Sequence, residues 1–328
     1  MLPSSIKKNT FVVTRVQNQS IEMKKIIIFG GSGFIGRHLI DELGDRYEIL
    51  IPSRNPSLIE HKLPKNTQLL KLDFINFKNL VPFFEAADGI VNLAGENVSG
   101  RWTVRKKQAI ENSRLNIDRL ILKAFNASNH NIRFLVQGSG MGVYGLSRSK
   151  IEIDESSQLG IHGFLTKVGK EHEKALSSLE EKTRLIHIRT GLVLDKEEGA
   201  LPQMASAFQH NLGGTMGSGK QWNSWIHIKD EVRAIKFLIE NEASRGAYNL
   251  TAPNAVRQKE FSKLLGRALN KPSYLRKPAF LLRLMLREMA DELLLRGLNI
   301  KPIRLLEEGF TFRFNTLEEA LNDIYKND

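Results

Sequence analysis

A glycine-rich turn follows an apolar strand near the start of the chain, and this pairing constrains the fold more than any other feature. Residues 26–29 form the run Ile-Ile-Ile-Phe, which is typical of a parallel strand covered on both faces. The pattern G-x-x-G-x-x-G follows at Gly30, Gly33 and Gly36, and helical spacing begins at once. A strand, such a turn and a helix predict a dinucleotide-binding unit, in which backbone N–H groups and the helix dipole hold a pyrophosphate. The predicted cofactor contacts in this turn are Gly30, Ser32, Gly33, Phe34, Ile35, Gly36 and Arg37.

The rest of the N-terminal half alternates strands with helices. Short apolar runs predict further strands at 48–51, 69–72, 89–93, 134–136 and 185–188. This alternation predicts an α/β fold with a doubly wound parallel sheet, the Rossmann arrangement. After about Leu194 the pattern changes, and it predicts a smaller, mainly helical C-terminal lobe with one helix over residues 278–296.

The chain is therefore expected to divide into three segments. Residues 1–22 show neither a periodic pattern nor a signal-peptide layout, so a disordered or non-native tail is expected. Residues 23–195 are expected to form the cofactor-binding Rossmann domain, with later segments completing its sheet. Residues 196–328 are expected to form a substrate-side lobe with a helical C-terminal domain.

The end of the second strand decides which dinucleotide is predicted. An NAD enzyme tends to place an acidic residue there to bind the ribose 2′-hydroxyl. This chain has Ser53 and Arg54 instead, with no acid before Glu60. A planar guanidinium suits a 2′-phosphate, and Ser53 and Arg37 are possible helpers, so the predicted cofactor is NADP. A solvated Arg54 is the alternative.

Further segments extend the pattern along most of the chain. They are Asn92–Gly95, Gly142–Gly145, Ala94–Asn97, Arg101–Thr103, Ser113–Arg114, Arg189–Gly191, Trp225–His227 and Lys301–Phe310. With the glycine turn, they resemble the extended short-chain dehydrogenase/reductases. In particular they resemble the atypical subgroup called epimerase family proteins, which are sugar-nucleotide epimerase-like and carry a C-terminal domain of unknown function. The resemblance implies an NADP-binding Rossmann fold in which Leu93, Ala94 and Gly95 also line the cofactor.

The catalytic pair of that superfamily is missing. Extended members open a helix with Y-x-x-x-K, and a glutamate follows eight residues after the tyrosine. Counting back from Glu173 places Leu165 and Gly169 at the tyrosine and lysine positions. Neither residue can transfer a proton in their place.

Two other polar residues are the catalytic candidates. Ser139 lies near the position of the family's active-site serine, at the end of a predicted strand. Tyr144 precedes Arg148 by four residues, but it follows a strand end, so a helical relation between them is not expected. The competing interpretation of Tyr144 is a ring packed over the cofactor cleft.

Basic residues suggest an anionic substrate. The chain has 48 Lys and Arg against 36 Asp and Glu, a net charge of +12. The substrate-side candidates are Arg101, Trp102, Arg114, Lys220 and Trp225. A packing role for Trp102 and a solvated helix face for the cations are the alternatives. The positive charge is dispersed, which does not favour nucleic acid as a partner.

Composition excludes several classes of protein. The chain contains no cysteine, which excludes disulfides, thiolate zinc sites and cysteine nucleophiles. Its eight histidines show no paired spacing, so no metal is expected. No apolar stretch is long enough to span a membrane, so no membrane partner is expected. A cytoplasmic monomer or homodimer is expected.

Two functional hypotheses remain. One is an NADP-dependent oxidoreductase or epimerase that acts on an anionic substrate such as a nucleotide sugar. The other is a catalytically silent, NADP-sensing or regulatory binding protein. The missing tyrosine–lysine pair favours the second, whereas the complete cleft segments and the basic substrate side favour the first.

Overall fold

The computed structural model describes residues 23–58, 67–72, 76–146 and 151–326. The predicted tail 1–22 and Arg148 lie outside these ranges. The strands in the described residues are β1 (Lys24–Phe29), β2 (Tyr47–Ser53), β3 (Thr67–Lys71), β4 (Gly89–Asn92), β5 (Phe134–Gly140), β6 (Glu152–Ile153), β7 (Arg184–Thr190), β8 (Leu192–Leu194), β9 (Gly214–Met216), β10 (Trp222–Asn223), β11 (Trp225–His227), β12 (Gly246–Leu250), β13 (Val256–Arg257), β14 (Leu275–Lys277) and β15 (Asn299–Ile300). The α-helices are α1 (Phe34–Leu43), α2 (Val81–Ala86), α3 (Val104–Ala127), α4 (Phe164–Ala175), α5 (Leu201–Gln209), α6 (Ile228–Glu240), α7 (Gln258–Ala268), α8 (Ala279–Leu286), α9 (Ile303–Glu307) and α10 (Leu317–Lys326).

Seven of these strands form one parallel sheet in the order β3-β2-β1-β4-β5-β7-β12. This is the doubly wound order, with a reversal between β1 and β4 where ligands bind in such sheets. The predicted fold class, a Rossmann sheet with a helical C-terminal region, is confirmed. The last strand of the sheet, β12, comes from beyond residue 195, and helix α6 packs against α1.

The apolar run of β1 explains why both faces of the sheet are covered. Side chains alternate between faces along a strand. Ile26 and Ile28 accordingly join the buried cluster that includes side chains of α1 and α6, whereas Ile27 and Phe29 join the cluster that includes those of α2 and α3. A separate cluster around Trp225 joins α5, α7 and α10 in the C-terminal lobe.

The single helix predicted over residues 278–296 is wrong. Helix α8 ends where Arg287 takes a left-handed backbone conformation with φ 56°, and a π-helical turn spans Ala290–Leu295. The two halves face different surroundings, because Phe280 and Leu284 are exposed while Met289 packs against Trp102. Apolar spacing of three to four residues continued through the break, so periodicity alone did not reveal it.

Candidate functional site

The glycine turn after β1 is shaped by close backbone contacts. Gly30 has φ +79°, and a Cβ there would lie 2.7 Å from the Ala94 nitrogen. A Cβ on Gly36 would lie 2.3 Å from the carbonyl oxygen of Gly30, so this glycine lets the helix approach the turn. Gly33 is exposed, and its nearest obstacle is the same oxygen at 3.1 Å. The turn therefore has two packing glycines and one glycine open to a ligand.

The open glycine is the N-cap of α1. Gly33 supplies no side-chain hydrogen bond to the first turn of the helix. Backbone N–H groups at such an end lack intrahelical partners and attract anions, and the helix dipole adds to the attraction. The N–H groups of Phe34 and Ile35 are thus suited to a pyrophosphate, and a Cβ-bearing residue at Gly33 would intrude on the same space.

The two arginines predicted to bind the cofactor, Arg37 in α1 and Arg54 after β2, differ in the contacts that their side chains make. Nη1 of Arg37 donates to the Ser32 carbonyl oxygen at 2.8 Å, and its other nitrogen forms an ion pair with Glu198. Arg54 is exposed, and within the described ranges no acidic partner approaches it. Ser53 Oγ accepts the N–H of Asn55 at 3.3 Å. Arg54 is therefore exposed, whereas Arg37 is bonded to the turn and to Glu198.

Backbone and side-chain contacts fix the loop that follows β4. The N–H of Leu93 donates to Phe29 at 2.8 Å, and that of Ala94 donates to Oδ1 of Asn92 at 3.2 Å. The guanidinium of Arg114 lies beneath Gly95, where a Cβ would be 3.1 Å from it. Burial lowers the pKa of Arg114. Its Nη1 also donates to its own helix at the Ile110 carbonyl, at 3.0 Å. Arg114 thus supports the predicted cofactor loop.

A chain of hydrogen bonds at the ends of β5 and β7 links Ser139 to Tyr144. Ser139 Oγ donates to Glu173 at 2.7 Å. Glu173 accepts two hydrogen bonds from Arg189, at 3.0 and 2.8 Å. Arg189 also donates to the Tyr144 hydroxyl at 2.9 Å, and that hydroxyl donates to Asn249 at 2.8 Å.

The two catalytic candidates, Ser139 and Tyr144, differ in solvent exposure. Ser139 is half-buried, whereas Tyr144 is 1% exposed and packs with Ile153 and Ile300. Burial raises the pKa of Tyr144 despite the opposing effect of Arg189. Burial alone would raise the pKa of Glu173, but its bonds to Arg189 and Ser139 lower it overall. Tyr144 is therefore a buried, hydrogen-bonded side chain, and Ser139 lies beside a carboxylate whose pKa is lowered.

The family's lysine position has no room for a lysine side chain, and its tyrosine position holds a leucine. A Cβ on Gly169 would lie 2.4 Å from Cγ1 of Val143, so a lysine side chain has no room there. Cβ of Leu165 lies 3.0 Å from where a Cβ on Gly142 would stand. The helix that begins beside these residues receives a carboxylate from the C-terminal domain, because Glu292 accepts the N–H of Leu165 at 2.9 Å and that of Phe164. Burial raises the pKa of Glu292.

Of the five predicted substrate-side residues, Arg114 lies beneath Gly95, and the other four fall into two groups. Arg101 and Lys220 are exposed. Trp102 is 3% exposed, and its indole N–H donates to Val98 at 2.8 Å. Trp225 is fully buried, and its indole N–H donates to Asn254 at 3.0 Å. Both tryptophans therefore act as packing anchors, whereas the two cations are exposed.

Sequence reasoning did not single out two groups of buried polar residues. Asp118 Oδ2 lies 2.5 Å from Nδ1 of His172, and its Oδ1 accepts from Asn92 at 3.2 Å, so this cluster fixes β4 to α3 and α4. Glu231 has no exposed surface and accepts from Thr190 at 2.8 Å. Burial raises the pKa of Glu231 to about 8. The only sequence signal was a charged residue on the inward face of each helix.

The described residues offer neither a metal site nor a membrane-spanning helix. Among the described residues no group of three histidine or acidic side chains could hold a metal ion. Within the same ranges no helix is long and apolar enough to cross a bilayer.

The fold and the phosphate-binding turn define a dinucleotide-binding protein of the Rossmann class. Residues 26–162 match the NAD dependent epimerase/dehydratase family, and residues 277–324 match a domain of unknown function, DUF1731. Epimerase family protein YfhF of Bacillus subtilis is 34% identical over 301 residues, covering 91% of this chain and 97% of that protein. The chloroplastic SDR39U1 homolog of Arabidopsis thaliana is 34% identical, covering 94% and 88%. The chain therefore belongs to the epimerase family proteins.

A solved structure agrees with this assignment. The crystal structure of human epimerase family protein SDR39U1 (isoform2) with NADPH superposes with a TM-score of 0.82. The two chains are 28% identical, and the match covers 93% of this chain and all of the human one. The predicted family is confirmed over nearly the whole chain.

Proposed function

We propose that this protein binds NADP(H) and acts as an oxidoreductase or epimerase on an anionic small molecule, a class that includes nucleotide sugars. The exposed Arg54 at the end of β2, together with the open N-terminus of α1, carries this proposal. The glycine turn and residues Leu93–Gly95 would hold the dinucleotide, and Arg54 would hold its 2′-phosphate, with Ser53 beside it. The NADPH named for the human relative supports the same choice.

The chain's own residues would position the substrate and its proton. When bound, the nicotinamide supplies hydride transfer. Ser139 lies half-buried at the end of β5, and its hydroxyl already donates to the carboxylate of Glu173. A substrate hydroxyl or carbonyl could bond to Ser139, with Glu173 as the nearest group able to accept a proton. Tyr144 is left out of this assignment because it is buried and bonded on both sides. Arg101 and Lys220 would attract the anionic group.

The second hypothesis, an NADP-sensing protein without catalysis, has its own support. Val143 fills the space that a lysine at Gly169 would need, and Glu292 covers the start of the same helix. Turnover of NADPH, or exchange of tritium from it, against a metabolite library separates the two hypotheses. If a substrate is found, Ser139→Ala should cost roughly 10²–10⁴ in rate. No turnover with any member of the library supports the sensing hypothesis. The cytoplasmic location and the monomeric or homodimeric state stay predictions.

The cofactor assignment has a direct test. NADPH should bind at least about tenfold more tightly than NADH, since a bidentate Arg–phosphate contact contributes on the order of 1.5–3 kcal/mol. Arg54→Ala should remove most of that preference and leave NADH affinity nearly unchanged, as measured by calorimetry. Arg105→Ala, at another exposed arginine, is the matched control. Equal affinities of the unmodified protein for the two dinucleotides would contradict the assignment.

A further inference from the structure

An apolar helix without a covering partner lies in the C-terminal domain. None of the residues of α8 is buried. Phe280 and Leu284 are 71% and 73% exposed, and Met285 and Leu281 are 58% and 42% exposed. Of the twelve large exposed apolar side chains in the described ranges, five lie between Tyr274 and Met285. Soluble proteins scatter such side chains singly, so this concentration indicates a surface with a partner.

The same stretch is strongly basic. From Ser262 to Arg287 the chain has seven lysines and arginines and no aspartate or glutamate. Lys263, Arg267 and Lys271 line an open cleft of about 500 Å³ at the end of α7. Among the described residues, none of these three cations has a carboxylate within ion-pair distance. The basic–apolar surface, defined as this cleft plus the exposed side chains of α8, therefore suits an anionic partner that also accepts apolar groups.

We propose that the basic–apolar surface docks on the face of an anionic lipid bilayer. Cations would contact lipid headgroups while Phe280, Leu284 and Met285 enter the boundary between headgroups and acyl chains. The cleft ends at Ser273 and the helix begins at Ala279, with only the short β14 between them, and the proposal places both elements in one footprint. The absence of a membrane partner was expected because no segment can span a bilayer, and surface docking needs no such segment.

Other occupants fit the charges less well. A second copy of this chain would bring the three cleft cations against the same three, and like charges repel across an interface. Nucleic acid would neutralise the cations, but its phosphates offer nothing to four exposed apolar side chains. Helix α8 has eight residues, about 12 Å in length, which is far short of a bilayer span. A bilayer surface matches both the charge and the apolar content.

Vesicle sedimentation tests the proposal with the full chain. The protein should sediment with phosphatidylcholine vesicles that contain about 30% phosphatidylserine, and not with pure phosphatidylcholine vesicles. Binding should weaken as ionic strength rises from about 0.1 to about 0.5 M. Leu284→Glu should lower the partition coefficient at least about tenfold, and Lys271→Glu combined with Arg267→Glu should do the same.

Matched controls separate the surface from general effects. Ile161→Glu changes an equally exposed apolar residue elsewhere, and Lys174→Glu reverses an exposed charge on α4; both should bind vesicles normally. Dinucleotide binding by each variant shows that the fold is intact. Each of the following results overturns the proposal: no binding to anionic vesicles, unchanged binding by Leu284→Glu, or a dimer in sedimentation velocity that Leu284→Glu dissociates. RNA binding that depends on Lys271 and not on Leu284 also overturns it.

Discussion

The cofactor turn and the β5–β7 edge are built in opposite ways. Around Gly30 and Gly33 the chain has no side chains, and no side-chain cap covers the N-terminus of α1. Around Ser139 it fills the space with side chains that bond to one another. Backbone N–H groups without partners can bind a ligand, whereas side chains that already bond to one another hold strands and helices in place. This difference explains why the cofactor is easier to infer than the reaction.

The largest expected effect separates two glycines of the turn. Gly36→Val should cost about 3 kcal/mol or more in stability, because its Cβ would overlap the Gly30 carbonyl oxygen. Gly33→Val should leave the fold nearly unchanged and abolish NADPH binding, because the branched side chain would occupy the phosphate's space. Thermal unfolding and calorimetry measure the two quantities. Normal NADPH affinity in Gly33→Val would show that Gly33 does not line the cofactor.

Sequence reasoning succeeded where local pattern fixes structure. The turn at Gly30 and the helix that follows it, α1 (Phe34–Leu43), depend on neighbours in sequence, so periodicity and glycine spacing were enough. The role of Tyr144 depends on Arg189 and Asn249, 45 and 105 residues away. No local pattern reports such contacts. The same holds for Glu292 at the start of α4, 127 residues from Leu165.

The protein should lose stability when the buried ion pair at the β5–β7 edge loses its negative charge. Glu173→Gln removes the carboxylate that pairs with Arg189, and both residues are less than 10% exposed. An uncompensated buried charge costs about 3–5 kcal/mol, and we expect a loss near the lower end because glutamine keeps one acceptor. Glu111→Gln, whose partner Lys167 is 63% exposed, should change stability by less than about 1 kcal/mol. Equal effects of the two changes in urea unfolding would contradict a buried, structural pair.

Glu231 accepts a hydrogen bond from Thr190 at the same edge, and it should make the stability of the protein depend on pH. Its pKa is about 8 in the folded protein, above the usual 4.5 of an unfolded glutamate. Between those values the folded state keeps a proton that the unfolded state has released, so stability falls as pH rises. Glu231→Gln keeps the acceptor for Thr190 and cannot ionise. It should match the unmodified protein near pH 4.5 and exceed it by up to about 5 kcal/mol near pH 9.

Urea unfolding at several pH values measures this contrast. Glu240→Gln is the control, because Glu240 is exposed on the same helix α6. That variant should not remove the decline between pH 5 and 8. A Glu231→Gln protein that declines with pH as steeply as the unmodified chain would show that Glu231 ionises freely in the folded state.

The smallest expected effect concerns Tyr144, and it decides between a structural and a catalytic tyrosine. Tyr144→Phe removes a hydroxyl that accepts from Arg189 and donates to Asn249, leaving both partners buried with one bond fewer. Such a loss costs about 1–2 kcal/mol of unfolding free energy. Because the ring is 1% exposed and burial raises the pKa of its phenol, it can neither reach a substrate nor act as a base at neutral pH. Once a substrate is known, Tyr144→Phe should therefore turn over NADPH at the normal rate with an unchanged pH profile, while Ser139→Ala is impaired. A rate loss of 10²–10⁴ with unchanged stability would instead make Tyr144 the general acid–base.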